Sequence, residues 1–255
     1  MIFENHTIFF YILIGLMTIG VLQSLSIGFL FFFKGSGERR ANAFYGLLLI
    51  TIGLTLLHNI FILTDFYKAY PQFNFLPIYY TLAFPTLLFY YVKLTLYPAY
   101  KFRLSDIKHF ILPGGQLLFF LVTFSKSIEA KSQVDRYFYN PFYGGFEQFL
   151  YLAGFFAYMY FAYRYIRRRR KQIKDRKHIK AIKYLNKLLQ ILFLLFFLHA
   201  FMVISDFISF EFFRVDLRAS KIFAGLGIFS FVAVVYWLSI YGFQVLFWGR
   251  KVFRE

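Results

Sequence analysis

An all-α, polytopic membrane fold is what the sequence predicts: one domain of seven transmembrane helices, N-terminus outside and C-terminus cytoplasmic. Three observations carry this. Seven apolar stretches of roughly 18 to 28 residues fill the chain, each long enough at 1.5 Å per residue to cross a hydrocarbon core of about 30 Å. Of the 255 residues, 60% are hydrophobic and 25% aromatic, which leaves too little polar sequence for a separate soluble domain. Lysine and arginine, finally, concentrate in alternate gaps between the stretches.

The first stretch, Ile8 to Phe33, follows a short segment with Glu4 and no basic residue, and is far longer than the apolar part of a signal peptide; it reads as a retained helix. The second runs from Asn42 to Thr64 and the third from Pro77 to Tyr97, with Pro85 expected to kink it. The fourth, Lys108 to Ser125, is the weakest of the seven and contains Pro113, Gly114 and Gly115. The remaining spans are Tyr143 to Ile166, Leu188 to Phe213 and Ile222 to Trp248. The 40 Phe suit lipid-facing positions, and the 21 Tyr are expected at the interface.

Orientation follows from the gaps. Lys34, Arg39 and Arg40; Lys101 and Arg103; the dense block from Arg164 to Lys187; and Arg250, Lys251 and Arg254 all fall on one side, which should be cytoplasmic. The other side holds only Lys68, then Lys126, Lys131 and Arg136, then Arg214, Arg218 and Lys221. Within the block, Arg167, Arg168, Arg169, Arg170, Lys171, Lys174, Lys177 and Lys180 form a candidate surface for anionic headgroups or a cytoplasmic partner. The net charge of +17 could also suit nucleic acid, but a block continuous with two membrane helices lies at the headgroup level, so direct nucleic-acid binding is not expected. From Lys171 to Lys187 the sequence lacks Pro and Gly and should extend span five or six as a helix beyond the membrane.

Ionisable groups inside spans are costly and call for an explanation. His199 and Asp206 stand seven residues apart in span six, with Met202 between them, and so share one helix face. Span two offers His58 and Asn59, and Glu147 begins span five. In the predicted topology these five lie toward the external half, where they could line one externally open cavity; the competing account of each is an interhelical hydrogen bond. Gln116 in span four and Gln244 in span seven read as packing contacts.

No cofactor and no metal site is expected. The chain has no cysteine, and none of its five histidines pairs at helical spacing as a zinc or di-iron motif would require. Nucleophile elbows and glycine-rich phosphate loops are also missing.

Three local patterns occur together: Arg40, Ala41 and Asn42 opening span two; Phe84, Pro85, Thr86, Leu87, Leu88, Phe89, Tyr90, Tyr91, Val92 and Lys93 in span three; and Asp106, Ile107, Lys108, His109, Phe110, Ile111, Leu112 and Pro113 leading into span four. Their order and spacing resemble the N-terminal membrane domain of bacterial membrane-embedded AraC-type transcriptional regulators and of related sensors with other output domains. The resemblance covers most of the chain and departs from the family pattern at Phe84, where the family has Gly before Pro. It implies a sensory or signal-transducing module in the bacterial cytoplasmic membrane. The family's cytoplasmic helix-turn-helix output is expected to be absent from a sequence ending at Glu255. Partners would be anionic lipid, a cytoplasmic output protein and a second copy of the chain. A small transporter or channel is the alternative function. An integral membrane enzyme acting on lipid is a third, with Asp206 and His199 as acid and base.

Overall fold

The computed structural model describes residues 8–35, 37–172, 176–215, 217 and 220–254, and these form helices and turns with no strand among them. In chain order the α-helices are α1 (Ile8–Phe32), α2 (Arg39–Leu63), the short α3 (Phe66–Ala69), α4 (Ala83–Leu96), α5 (Ile111–Phe124), the short α6 (Ile128–Val134), α7 (Gly144–Gln172), α8 (Arg176–Phe213) and α9 (Lys221–Arg254). A 3-10 segment, Leu104–Phe110, runs directly into α5, and a π-helical stretch, Asp135–Tyr143, joins α6 to α7.

Among the described residues, five helical segments are long and apolar enough to cross a membrane: Ile8–Phe32, Arg39–Leu63, Leu104–Phe124, Ile179–Phe210 and Phe223–Phe247. Spans three and five fall outside that set, each for its own reason. Helix α4 has 14 residues, about 21 Å of rise, short of the roughly 30 Å of a hydrocarbon core. The expected kink at Pro85 is replaced by a helix start: Pro85 sits in the first turn of α4, where a missing N–H costs nothing, and residues 74–82 before it are irregular. Pro113 likewise occupies the first turn of α5. Helix α7 is long enough, but Glu147 and the tyrosines at 151, 158, 160, 163 and 165 lower its apolarity.

The long helices close into a ring in the order α1, α2, α4, α7, α8, α9 and back to α1. Cross-helix contacts fix the directions. Leu188 and Tyr184 of α8 meet Trp237 and Gln244 of α9, an antiparallel pair. Phe9 and Leu16 of α1 meet Phe229 and Tyr236 of α9, a parallel one. Helices α1 and α2 approach closely, so that a Cβ on Gly46 would sit 2.8 Å from the Gly28 carbonyl oxygen. Small residues here let two backbones touch, the usual basis of helix packing where lipid removes the hydrophobic drive. Helix α5 lies outside the ring and buries only Gln116, Phe120 and Thr123.

The tyrosines depart from the expected interfacial role. Tyr45, Tyr91 and Tyr241 are fully buried at the centre, where the Tyr45 hydroxyl donates to the Leu238 carbonyl at 2.6 Å and the other two hydroxyls lie 3.1 Å apart. Each polar tip is thereby satisfied, so the ring can be buried without an orphan hydroxyl. The outward faces carry Leu22, Phe29, Leu118, Leu194, Phe201 and Phe243, all exposed. An apolar exterior of this extent around a polar-linked centre is compatible with a multi-pass membrane protein.

Helices α7 and α8 both run into the basic block, as the Pro- and Gly-free sequence predicts, α7 ending at Gln172 and α8 starting at Arg176. Lys174 lies outside the described residues, as does the side chain of Lys177. Arg167, Arg168, Arg170, Lys171 and Lys180 are exposed, while Arg169 is half-buried.

Candidate functional site

A cavity of about 300 Å³ opens among the ring helices near the end that holds the start of α1, the end of α2 and the start of α9. Its polar wall comes from Thr55 and Asn59 of α2, Tyr79 and Thr81 ahead of α4, Gln148 of α7, and His199 and Asp206 of α8; Met17, Met202 and Phe231 are among the apolar parts. Three of the five residues expected to line a shared cavity, Asn59, His199 and Asp206, do so.

His199 and Asp206 reach the cavity because seven residues are two helical turns. The rise between them is about 10.5 Å, so they can contact two ends of one ligand rather than pass a proton between themselves. His199 Nδ1 lies 3.0 Å from the Ser230 hydroxyl, which itself donates to the Gly227 carbonyl at 2.6 Å. Phe231, Phe196 and Tyr151 surround the imidazole with centroids 5.5, 6.0 and 6.3 Å away.

His58 and Glu147 are not on the cavity wall, which corrects the five-residue expectation. His58 Nδ1 is bound to the Tyr67 hydroxyl at 2.7 Å, and the ring rests 4.9 Å from Tyr79. A step of about 100° around the helix separates it from Asn59, and this turns the His58 ring toward Tyr67 of α3 rather than toward the cavity. Glu147 is buried behind the wall, with Gln148 facing the cavity in its place.

Gln116, expected to be a simple packing contact, is the hub of a network. Its Nε2 donates to Glu147 Oε1 and, at 3.1 Å, to Thr81 Oγ1, while its Oε1 accepts the Leu82 backbone N–H at 3.1 Å. Thr55 Oγ1 accepts the Tyr80 N–H at 3.1 Å. The irregular backbone ahead of α4 is therefore held by side chains of α2 and α5, which is how broken helices are tolerated inside a bundle. Glu147 Oε2 is buried and forms no hydrogen bond of normal geometry, although the Tyr139 side chain is close enough to interact with the carboxyl.

A second polar cluster occupies the opposite end. Lys93 Nζ lies 3.4 Å from Asp106 Oδ1, both groups buried, and Asp106 also accepts from the Tyr90 and Tyr100 hydroxyls and the Arg103 N–H at 2.8 to 2.9 Å. Arg40 donates to the Tyr100 carbonyl at 2.7 Å and to the Pro98 carbonyl. The Thr86 hydroxyl donates to the His109 carbonyl, and His109 Nδ1 meets the Tyr158 hydroxyl at 2.7 Å. The second and third of the sequence patterns thus meet in space, and Arg40 of the first reaches them through Tyr100.

Among the described residues no three His, Cys, Asp or Glu side chains gather as a metal would require. No family model, curated protein or solved structure matches this chain.

Proposed function

We propose that the chain is a seven-span sensory module of a bacterial cytoplasmic membrane protein, N-terminus outside, of the kind that the AraC-type resemblance implies. The observation that carries the reading is the placement of the cavity toward one end of the bundle. It lies at the end assigned to the exterior, and the path toward the basic end is filled by Tyr45, Tyr91 and Tyr241 and then by the Lys93 and Asp106 cluster. A site reachable from one side only suits detection rather than passage. Small-molecule sites are mostly apolar with a few placed polar groups, and Asn59, Gln148, His199 and Asp206 fill that role here. A ligand spanning α2, α8 and α9 would bias the position of α8, whose other end carries basic residues to the cytoplasmic face for an output partner to read.

One observation favours a small transporter instead. Span three is interrupted beside the cavity, and discontinuous helices next to a binding site are a feature of secondary transporters. Accessibility separates the two. The native chain has no cysteine, so Asn59→Cys gives a single reactive thiol in the cavity. A membrane-impermeant thiol reagent is expected to modify it in intact cells and to leave it unmodified in inside-out vesicles. Modification from both sides would reject the sensor in favour of alternating access.

A further inference from the structure

The basic end holds a second cavity, of about 430 Å³, lined by Lys93, Tyr97, Pro98, Ala99, Tyr100, Tyr165 and Arg169. Two cations and no carboxylate line it. Arg169 differs from its neighbours in the arginine run: Arg167, Arg168 and Arg170 are exposed, whereas Arg169 turns inward and places its guanidinium 5.0 Å from the centre of the Tyr97 ring. Its Nε is buried with no hydrogen-bond acceptor, and no carboxylate among the described residues lies within ion-pair distance of it. A buried guanidinium N–H without an acceptor is rare and costly, and a bound anion is the ordinary remedy. Lys93 adds to the demand. Its one carboxylate contact, to Asp106, is long at 3.4 Å, and Asp106 is already engaged by two tyrosine hydroxyls and a backbone N–H. The ammonium also sits 3.7 Å from the Tyr100 ring centre, which anchors it without consuming its hydrogen-bond donors.

We infer that this cavity binds a phosphate group, with the Arg169 guanidinium as a planar donor held by Tyr97 and the Lys93 ammonium as the second contact. Planar guanidinium and tetrahedral phosphate match in geometry, and arginine is less strongly hydrated than lysine, so a half-buried position suits it. Two sources supply the same chemistry: the headgroup of an anionic phospholipid, because this end of the bundle is where the topology sets the cytoplasmic headgroups, and free phosphate in the cytoplasm. Binding to the folded state alone raises its melting temperature, which provides the readout.

The test uses the full chain, purified in a neutral detergent, with thermal unfolding followed as phosphatidylglycerol, phosphatidylcholine or inorganic phosphate is added. A rise with phosphatidylglycerol alone assigns the lipid headgroup. A rise with inorganic phosphate as well assigns free phosphate. Arg169→Gln is expected to lose most of the rise, while Arg168→Gln, one position away and exposed, keeps it. Should Arg169→Gln fail to fold, Arg169→Lys retains the charge without the planar fork and is expected to show a reduced rise. No rise in the native chain with either phosphatidylglycerol or phosphate overturns the inference. So does an equal loss in Arg168→Gln and Arg169→Gln, which would mean diffuse surface charge. Asp206→Asn, in the other cavity, is expected to leave the response intact, so this result and the one for the sensory reading stand or fall separately.

Discussion

Gln116 shows how one side chain can hold a break in a helix. It is the joint partner of Glu147, Thr81 and the Leu82 N–H, three buried groups on three different segments of the chain. Gln116→Leu has nearly the same volume and removes all three bonds. Membrane hydrogen bonds average well under 2 kcal/mol each, but stranding several buried groups together costs more, so a loss of about 2 kcal/mol is expected in a detergent unfolding titration. Glu147→Gln keeps an acceptor oxygen for Gln116 and should lose less. Equal stability of Gln116→Leu and the native chain would show that the network carries no energy. The sequence exposed Glu147, because an acid in a span stands out, but left Gln116 among the packing contacts. An amide between Gly115 and Leu117 looks the same whether it faces a neighbour or a carboxylate. Arg169 was named only as one of an arginine run facing headgroups or a partner, and identical residues on both sides concealed that it alone turns inward.

Helices differ in how openly their sequences declare them. Long uninterrupted apolar runs made α1, α2, α8 and α9 legible almost to their ends. Span three was not, because Pro85 supports two accounts, a kink in a helix or the first turn of one, and only the packing of Thr55 and Gln116 onto the preceding backbone decides between them. Tyrosine misled for a related reason. Its ring belongs at an interface unless its hydroxyl finds a buried partner, and the partners of Tyr45 and Tyr91 lie on α9, far along the chain. The contact between α1 and α2 yields a sharper prediction. A methyl group at Gly46 would meet the Gly28 carbonyl at 2.8 Å, against backbone that cannot rotate away, so Gly46→Ala should destabilise by about 1 to 3 kcal/mol. At Gly15, also in α1, an added Cβ meets nothing within 4 Å. Gly15→Ala should therefore match the native chain or gain up to about 1 kcal/mol from helix propensity. Identical unfolding midpoints for the two variants would remove the close approach as a source of stability.

For the molecule as a whole, charge and cavity can be tested through one property, orientation. Ser132 on α6 and Gln172 at the end of α7 are both exposed and lie at opposite ends of the bundle. As single cysteines in the cysteine-free chain, Ser132→Cys should be labelled by an impermeant reagent in intact cells and Gln172→Cys should be protected. The reverse pattern would invert the topology and move the cavity to the cytoplasm. The parallel contact between α1 and α9 also bears on biogenesis. It joins the first and last described helices, with the Tyr236 hydroxyl bonded to the Leu16 carbonyl and Gly20 packed beneath the Tyr236 ring. As helices leave the ribosome in order, α1 must wait through the synthesis of every other one before this seam can close. Until then the cavity has no finished wall, and that wall is completed in one step when α9 docks against α1.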